Sequence, residues 1–487
     1  MTTGRRTPFP PRASRSLRAA CLGALLPLAA CSVAPVYQRP EVAALPAAYK
    51  EAGPVSAAGA LWQPAQPADA IDRGNWWTLF QDDDLNRLAA QVQLSNQNIA
   101  AAVAAYAQAQ ALVREQGAGL LPSVDLTGGA TRSGGEGSAR RGTTAQAALG
   151  ASWAPDLWGR LGSAVSGAQA SAQASQADLA SARLSAVGSL VAAYFQLREA
   201  DAEIALLQDI VEAYQRSLQI TRNRYDAGIA PASDVQQART QLANAQADLA
   251  GVRQNRARYE HAIAVLTGVP PGSFGLPPAP WIARVPQVPA TLPSELLQRR
   301  PDIASAERAV AAANAQIGVQ RAAYYPSLGL SASLGRSGTG LGDLFSASGA
   351  LWSLGLSAAQ TVFDGGAIAA RVDAAQAARD ARAASYRQTV LTAFQGVKDQ
   401  LGTIRTLEAQ EPLRQEAVNA ARLTETQLQN RYRAGQVGYT EVVTAQITAL
   451  SARRALLQLQ ASRQLAAAAL VQALGGGWQA PWAQATP

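Results

Sequence analysis

The chain has 487 residues, of which 48% are hydrophobic and only 6% aromatic, and its formal net charge is +8. Five of the positive charges are arginines within residues 1–30, a segment without acidic residues, so the rest of the chain carries only +3. This small excess removes the main support for nucleic-acid binding. Cys31 is the only cysteine after residue 30, which excludes a disulfide or a cysteine-based metal site there.

The start of the chain predicts a lipoprotein signal peptide. Arginines precede an apolar run over residues 19–30, which is too short to span a bilayer and is typical of an export signal. The run ends in Leu-Ala-Ala-Cys, which resembles the bacterial lipobox, so we expect cleavage before Cys31 and covalent lipid on its sulfur. Ser32, in place of aspartate, favours the outer membrane. The alternative is a plain secretory signal with a chance cysteine.

Beyond the signal, the chain predicts one helix, then a β-hairpin, then a very long helix. Residues 85–117 are rich in Ala and Gln and nearly free of helix breakers. Apolar and polar residues then alternate on both sides of a Gly- and Ser-rich loop, which predicts a β-hairpin over about 123–156. Residues 160–227 contain no proline, and about 68 helical residues would extend on the order of 100 Å.

The same pattern then occurs a second time. An Arg-Tyr-X-Ala-Gly sequence at 224–228 returns at 431–435, and the offset of 207 holds as far as the glycines at 268 and 475. A second alternating stretch predicts a β-hairpin over about 327–362. A constant offset of this length indicates one structural unit built twice.

The spacing of aromatic residues suggests one difference between the two copies. Tyr194 precedes Arg224 by 30 residues, whereas Phe394 precedes Arg431 by 37 residues. The second copy is therefore expected to contain about one extra heptad around Pro412.

The helices that follow the two Arg-Tyr-X-Ala-Gly sequences predict coiled-coil packing. Their apolar residues step alternately by three and four positions, starting at Val235 and at Val442. Each of these apolar stripes is interrupted once by an arginine, Arg256 in the first copy and Arg463 in the second.

The strands have the length of membrane-crossing strands. About 10 residues suffice when a strand is tilted in the bilayer. Four strands cannot close a lipid-facing barrel, and an open sheet edge is not tolerated in hydrocarbon. Several chains would have to share one barrel, with eight, twelve or sixteen strands for a dimer, trimer or tetramer. The alternative is two edge hairpins of a soluble sheet.

These features predict six segments. They are a signal peptide (1–30), a lipidated N-terminal segment and collar (31–84), repeat 1 (85–268), a linker in the collar (269–300), repeat 2 (301–475) and a C-terminal tail (476–487).

Several motifs along the mature chain resemble those of a known family. They lie, in chain order, at residues 31–40, 76–80, 84–85, 121–123, 156–160, 299–303, 325–327, 363–366 and 474–478. Together they resemble the outer membrane efflux family, the TolC-like channels, and more closely the lipidated, NodT-type branch that serves resistance-nodulation-division efflux pumps.

The resemblance implies a mainly α fold with a membrane β-barrel and two tandem structural repeats. It also implies a homotrimer with a 12-stranded outer-membrane barrel and a 12-helix periplasmic tube. Its partners would be a periplasmic adaptor (membrane fusion) protein and a proton-driven inner-membrane pump. The chain would conduct drugs and other toxic small molecules passively, as a lipid-anchored, barrel-spanning protein of the outer membrane. It would be no enzyme and need no cofactor or metal beyond the lipid on Cys31.

The resemblance further implies that two helix-turn-helix tips form the periplasmic entrance and the docking site of the adaptor. The residues assigned to this site are Arg224, Tyr225, Ala227, Gly228, Asp234, Arg431, Tyr432, Ala434 and Gly435. The glycines can take the positive φ that reverses a helix, and Asp234 is expected to act as N-cap of the next helix. The alternative is that these residues only shape the turns.

One residue departs from the family pattern. Many relatives carry an aspartate one helical turn past the second tip, where it forms an acidic ring in the closed entrance. Thr444 occupies that position here, and Glu441 is a candidate substitute for the entrance constriction.

Other functional classes remain open at this point. A duct for type I protein secretion has the same architecture, although the lipobox favours the pump branch. A heavy-metal efflux channel would share all of these motifs. A coiled-coil lipoprotein without a pore would explain the heptads but not the four amphipathic strands.

Overall fold

The computed structural model describes residues 33–41, 73–134, 142–281, 283–286, 300–339 and 350–476. Within them, the α-helices are α1 (Asp83–Ser95), α2 (Gln97–Ala118), α3 (Arg160–Asp226), α4 (Ala232–Leu266), α5 (Pro301–Arg321), α6 (Ala367–Arg433) and α7 (Tyr439–Ala473). The β-strands are β1 (Ser123–Ser133), β2 (Gly142–Trp153), β3 (Ser327–Gly338) and β4 (Ala350–Ala359). Short 3-10 helices occupy Arg73–Phe80, Pro271–Ser273 and Ala322–Tyr324. The predicted fold class, mainly α with two copies of a β-hairpin followed by long helices, is confirmed.

The chain separates into two compact units. The first contains residues 1–40, 107–174 and 307–385, and therefore all four strands. The second contains residues 41–106, 175–306 and 386–487, and therefore α4 and α7. No helix in the described part of the chain combines the length and the apolar character needed to cross a bilayer.

The first predicted helix is divided into two. Asn96 separates α1 from α2 with an extended backbone conformation, φ −68° and ψ 123°. Its side-chain oxygen accepts from the N–H of Asn98 and of Ile99, at 3.0 and 3.2 Å, and its Nδ2 donates to the Leu266 carbonyl at 2.8 Å. The expectation of one unbroken helix over 85–117 is wrong because this asparagine side chain replaces backbone hydrogen bonds at the break.

The long helices of the two copies have equal lengths. Both α3 and α6 contain 67 residues, both α4 and α7 contain 35, and each pair is offset by 207. The predicted extra heptad is therefore wrong. At this offset Leu401, and not Phe394, corresponds to Tyr194, and both residues are buried. Pro412 lies within α6 at the position of Ala205, so it replaces a residue and inserts none.

The four strands form one antiparallel sheet in the order β1-β2-β3-β4. Residues directly opposite each other in neighbouring strands lie on the same face of a sheet. The register places Leu126 opposite Leu149, Leu149 opposite Leu334, and Leu334 opposite Trp352. One face of the sheet is therefore apolar, and all four of these side chains are exposed in the single chain.

The opposite face of the sheet carries mostly small and polar residues. Ser333 is paired with Ser353, and their hydroxyls lie 2.8 Å apart. Thr127 is paired with Ala148 and donates to its carbonyl at 3.2 Å. The predicted alternation therefore separates an apolar face from a polar one, and β1 and β4 are the edge strands.

The apolar stripes of α4 and α7 are buried as their spacing predicts. In α4 the buried stripe residues are Ala238, Ala245, Leu249, Val252 and Ile263. In α7 they are Val442, Ala445, Ala449, Leu459, Ala466 and Leu470. Burial of these small and branched residues holds each helix against its neighbours in the second unit.

Arg256, which interrupts the first stripe, belongs to a buried polar network in the second unit. It contacts the Asp201 carboxylate at 2.6 Å and donates to the Leu276 carbonyl at 2.6 Å. Arg198 contacts the same carboxylate at 3.0 Å and Asp84 at 3.1 Å. Two cations thus compensate an Asp201 carboxylate that is only 3% exposed. Arg463 in the second copy has one counterpart, an ion pair with Glu411.

Candidate functional site

The candidate site comprises the ends of two helical hairpins, where the chain reverses direction. The first helical hairpin consists of α3 and α4, joined by the first tip at 227–231. The second consists of α6 and α7, joined by the second tip at 434–438. All of the tip residues lie in the second compact unit.

Both helices that enter a tip end in the same way. At the first tip, Gly228 has φ 70°, its N–H donates to the Tyr225 carbonyl, and the Ile229 N–H donates to the Arg224 carbonyl, both at 2.8 Å. This pair of bonds is a Schellman C-cap, which requires the left-handed conformation that glycine adopts without strain.

The second tip repeats this C-cap at the equivalent positions. Gly435 has φ 74°, its N–H donates to the Tyr432 carbonyl, and the Gln436 N–H donates to the Arg431 carbonyl, both at 2.9 Å. The turn-forming role of the two glycines follows directly from this geometry.

The predicted N-cap role of Asp234 is wrong. Helix α4 begins at Ala232, two residues earlier, and its N-cap is Pro231, which makes no side-chain capping bond. Proline restricts φ to about −65°, close to the −74° observed, and so prepares the chain to enter the helix. Asp234 lies in the first turn, where a carboxylate interacts favourably with the helix dipole. Burial raises the pKa of Asp234, and the nearby Arg224 opposes that rise.

Arg224 connects the two tips. It is on the first tip, but its guanidinium carbon lies 4.8 Å from the centre of the Tyr432 ring. The same group donates to the carbonyls of Tyr432 and Arg433, at 3.2 and 3.3 Å. These carbonyls are at the C-terminal end of α6, where a cation is favourable. Arg224 therefore caps the helix of the other hairpin.

A small apolar core lies beneath this contact. It consists of Ala238 from the first helical hairpin with Tyr432, Tyr439 and Val442 from the second. The two tyrosine rings are 5.3 Å apart. The hydroxyl of Tyr439 lies 3.1 Å from that of Ser217, and burial raises the Tyr439 pKa. The first helical hairpin therefore receives side chains of the second.

The second helical hairpin also has an open cavity between its two helices. Its volume is about 340 Å³. The lining residues are Ala421, Thr424, Leu428, Thr440, Glu441, Thr444, Ala445 and Thr448. The two candidate constriction residues, Glu441 and Thr444, thus lie side by side in this cavity.

The structure brings only part of the predicted site together. Arg224, Asp234 and Tyr432 lie close to one another. The other predicted tip residues, including both alanines, are exposed at the turns: Tyr225, Ala227, Gly228, Arg431, Ala434 and Gly435. Cys31 lies outside the described residues, and its lipidation stays a prediction.

Sequence reasoning missed Ser217 and Tyr439. Neither belongs to the Arg-Tyr-X-Ala-Gly sequence, yet Tyr439 is 2% exposed at the centre of the tip contact. A signal was present, because Tyr439 and Ala232 occupy equivalent positions at the offset of 207. A large aromatic that replaces alanine in an otherwise matching repeat indicates a contact that only one copy makes.

The N-terminal segment packs tightly in the first unit. The Val33 N–H donates to the Trp158 carbonyl at 3.4 Å, and Asn314 donates to the Pro35 carbonyl at 2.9 Å. A Cβ atom added at Gly318 would lie 2.6 Å from the Cβ of Ala34, so only glycine fits there. Trp158 also stacks on Tyr325, with ring centres 4.9 Å apart, just before β3 begins.

The described residues contain no group of three or more His, Cys, Asp and Glu side chains that could hold a metal ion. The buried carboxylates of the second unit are instead compensated by arginines, as at Asp201 and at Glu203, which contacts Arg454 at 2.7 Å.

A comparison with protein families matches most of the chain to one family model. The family is described as outer membrane efflux protein, and the match covers residues 88–269 and 292–476.

Curated relatives match over almost the whole length. The probable efflux pump outer membrane protein TtgC of Pseudomonas putida strain KT2440 is 32% identical over 471 residues, covering 94% of this chain and 95% of that protein. The cation efflux system protein CusC of Escherichia coli O6:H1 is 28% identical, covering 93% of this chain and 97% of that protein.

Solved structures share the fold. The structure of the outer-membrane channel OprN superimposes with a TM-score of 0.83 at 29% sequence identity. The match covers 92% of this chain and 100% of that one.

Proposed function

This chain belongs to the outer membrane efflux protein family, and we propose that three copies of it form a passive duct through the outer membrane. It is the outer-membrane component of an efflux system. The duct would receive substrates from an inner-membrane pump through a periplasmic adaptor and would make or break no bond. The carrying observation is the sheet, which has one exposed apolar face and two open edges.

The apolar face is suited to lipid and unsuited to water. Leu354 and Leu356 of β4 are 77% and 72% exposed in the single chain. Side chains of this size are normally buried when a β-sheet faces water on only one side. In a membrane strand the same alternation places apolar residues toward lipid and small or polar residues toward the lumen.

The open edges favour an assembly of several chains. The backbone groups of β1 and β4 at the sheet edges need partners, since unpaired N–H and C=O groups cost several kcal/mol each in hydrocarbon. Pairing β4 of one copy with β1 of the next satisfies both edges. Three copies would give twelve strands, the number that the family resemblance implies.

The N-terminal segment supports the proposed lipid anchor. Val33 is bonded to Trp158, which stacks beside the start of β3. Aromatic residues at strand ends are typical of the membrane interface. Two residues of chain span about 7 Å at most, so a lipid on Cys31 could reach the same interface.

The helical tips supply the proposed contact with the adaptor. Tyr225 is 48% exposed and Ile229 is 65% exposed, on a turn held rigidly by its Schellman bonds. Exposed apolar side chains on a rigid turn are suited to docking another protein. Glu441 and Thr444 are kept as candidates for the constriction of the entrance.

The exported substrate has two candidate classes. The name of the relative CusC describes cation efflux, and a metal ion would be cargo in that case. The name of TtgC describes an efflux pump without a cargo. We favour small organic compounds, because the described residues contain no cluster of metal-ligating side chains. Type I protein secretion remains a candidate with the same duct architecture.

Conductance in planar lipid bilayers tests the duct. The purified protein should produce stepwise ion currents, and their absence at every voltage would reject the proposal. Leu354→Asp places a charge on the apolar face and should abolish insertion, since a charge there costs a few kcal/mol. Ser353→Asp lies on the other face of the same strand and should insert normally. Equal behaviour of the two variants would reject the assignment of the lipid face.

A further inference from the structure

The two helical hairpins have equivalent grooves, and the chain itself fills the first. The first groove lies between α3 and α4 and includes Ser217, Thr221, Gln237 and Ala238. Side chains of the second helical hairpin enter it: Tyr439 reaches Ser217, and Thr440 donates to the Gln237 amide oxygen at 3.3 Å. Thr221 and Ala238 are 0% and 1% exposed as a result.

The second groove, between α6 and α7, is the open cavity of about 340 Å³. Addition of 207 to the four first-groove positions gives Thr424, Leu428, Thr444 and Ala445, all of which line that cavity. Thr424 and Thr444 are exposed, whereas their counterparts in the first groove are partly covered. The cavity therefore has the location of a contact that the single chain leaves unmade.

The first helical hairpin carries the complementary surface. Subtraction of 207 from the residues that fill the first groove turns Tyr432, Tyr439 and Val442 into Tyr225, Ala232 and Val235. Tyr225 and Ala232 are exposed and Val235 is half-buried, whereas all three counterparts are buried.

We propose that the second groove of one chain seats the tip of the first helical hairpin of a second copy of this chain. Tyr225, Ala232 and Val235 of that copy enter the groove as Tyr432, Tyr439 and Val442 enter the first groove within one chain. Arg431, exposed here, takes the position of Arg224 and lies over Tyr225 of the second copy. Contacts within and between chains then alternate along the assembly.

Two substitutions between the copies are complementary in this arrangement. Within one chain, the Tyr439 hydroxyl is close to the hydroxyls of Ser217 and Thr221. Between chains, Ala232 replaces the tyrosine, and the apolar Leu428 replaces Thr221. The hydroxyl and its partner are lost together, so neither groove is left with an unsatisfied polar group at this point.

The proposal also specifies a difference in packing. Ala232 is much smaller than Tyr439, so the contact between chains leaves part of the cavity unfilled. Unfilled apolar volume lowers the stability of a contact. The contacts between chains are therefore the weaker ones at the tips.

The inference deepens the proposed assembly of several copies and rests on it. Its test uses cysteine pairs in the full-length lipoprotein, whose Cys31 is the only native cysteine beyond residue 30. Gln237 and Thr440 are in contact within one chain, so Gln237→Cys with Thr440→Cys is the control pair. The equivalent pair between chains is Thr444→Cys with Ser233→Cys.

A short thiol-specific cross-linker should join the Ser233→Cys/Thr444→Cys protein into covalent dimers and higher oligomers on denaturing gels. The control pair should give cross-linked monomers only. Co-expression of the two single variants should give dimers and nothing larger. An intact oligomer that yields no intermolecular product with the Ser233–Thr444 pair would overturn the inference while leaving the duct in place. Cross-linked oligomers without bilayer conductance would support the inference and reject the duct.

A second variant tests the packing difference without relying on a loss. Ala232→Tyr should fill the cavity of the neighbouring chain, so we expect the assembly to resist dissociation by heat in detergent more strongly than the parent protein. Unchanged or weaker resistance, with normal folding of the subunit, would contradict the seating of Ala232 in that cavity.

Discussion

The first and second helical hairpins share one register, yet their grooves have different surroundings. In the first, Thr221 and Ala238 are almost fully covered by residues of the second. In the second, the equivalent Leu428 and Ala445 line an open cavity of about 340 Å³. The duplicated backbone is thus nearly the same in both copies, and what differs is which part of the chain reaches each groove.

The comparison extends to the arginines that interrupt the apolar stripes. Arg256 joins a network with Asp201, Glu260 and a backbone carbonyl. Arg463 pairs with Glu411, whose side chain is 31% exposed. Equivalent positions therefore carry the same cation in environments of different burial, and pairs of matched variants can measure the difference.

The largest effect is expected from Tyr439→Ala. It removes a ring that is 2% exposed and packs against Tyr432, at a cost of about 3–5 kcal/mol in the free energy of unfolding of the subunit. Tyr225→Ala, at the position equivalent to Tyr432 on an exposed surface, should cost less than about 1 kcal/mol in the dissociated subunit. Denaturant unfolding in detergent measures both, and similar losses would show that the two hairpins are equally packed.

Arg256→Ala should have the next largest effect. It removes one of the two cations next to the buried Asp201 carboxylate and the donor to the Leu276 carbonyl, so we expect a loss of about 2–4 kcal/mol. Arg463→Ala breaks a more exposed pair and should cost about 1 kcal/mol. The same unfolding experiment distinguishes them, and a larger loss at Arg463 would reverse the comparison.

Arg224→Ala should weaken the tips by about 1–2 kcal/mol. The substitution removes a cation from above the Tyr432 ring and two hydrogen bonds at the end of α6. Faster hydrogen exchange of the amides at 431–436 would report the loss. Arg431→Ala is the matched variant, and it should leave exchange at the first tip of the dissociated subunit unchanged. Equal protection in wild type and Arg224→Ala would show that Arg224 does not hold the tips together.

The smallest expected effect depends on pH and concerns Glu199 in α3. Burial, and then the neighbouring Glu203, raise its pKa from 4.5 to about 7. The folded state thus favours the protonated carboxyl, and the stability that this provides is complete below pH 4.5 and lost as the pH rises through 7. Glu199→Gln should be more stable than wild type by about 1 kcal/mol at pH 8, after allowance for solvent screening, and no more stable at pH 4.

Thermal unfolding at the two pH values measures this difference. Thr406 holds the equivalent position in the second copy, so Thr406→Val provides a variant without a titrating group and should show no pH-dependent difference from wild type. A gain for Glu199→Gln that is equal at both pH values would exclude titration of Glu199 as its cause.

Much of the fold could be predicted because its signals are local. Alternation over 123–127 is a property of a single strand, and Gly228 and Gly435 adopt positive φ because the turn itself demands it. The offset of 207 was visible without any tertiary contact, and it holds for both pairs of long helices.

The errors have one physical origin. Matching Phe394 to Tyr194 compared the chemistry of side chains, whereas backbone register aligns Tyr194 with Leu401. Asp234 was assigned as an N-cap because of its residue type, but helix α4 begins where Pro231 prepares the chain to enter it. A residue type states what a side chain can do, and the neighbouring backbone decides whether it does so.

The sequence by itself determined the duplication, the amphipathic strands, the turns and the apolar stripes of the helices, since each depends on residues within a few positions of one another. Only the tertiary structure decided that Arg224 caps α6, that Arg256 compensates Asp201, and that one groove is filled while its twin is open. These contacts join residues tens to hundreds of positions apart, and two copies of nearly the same sequence pattern cannot state which of them will meet.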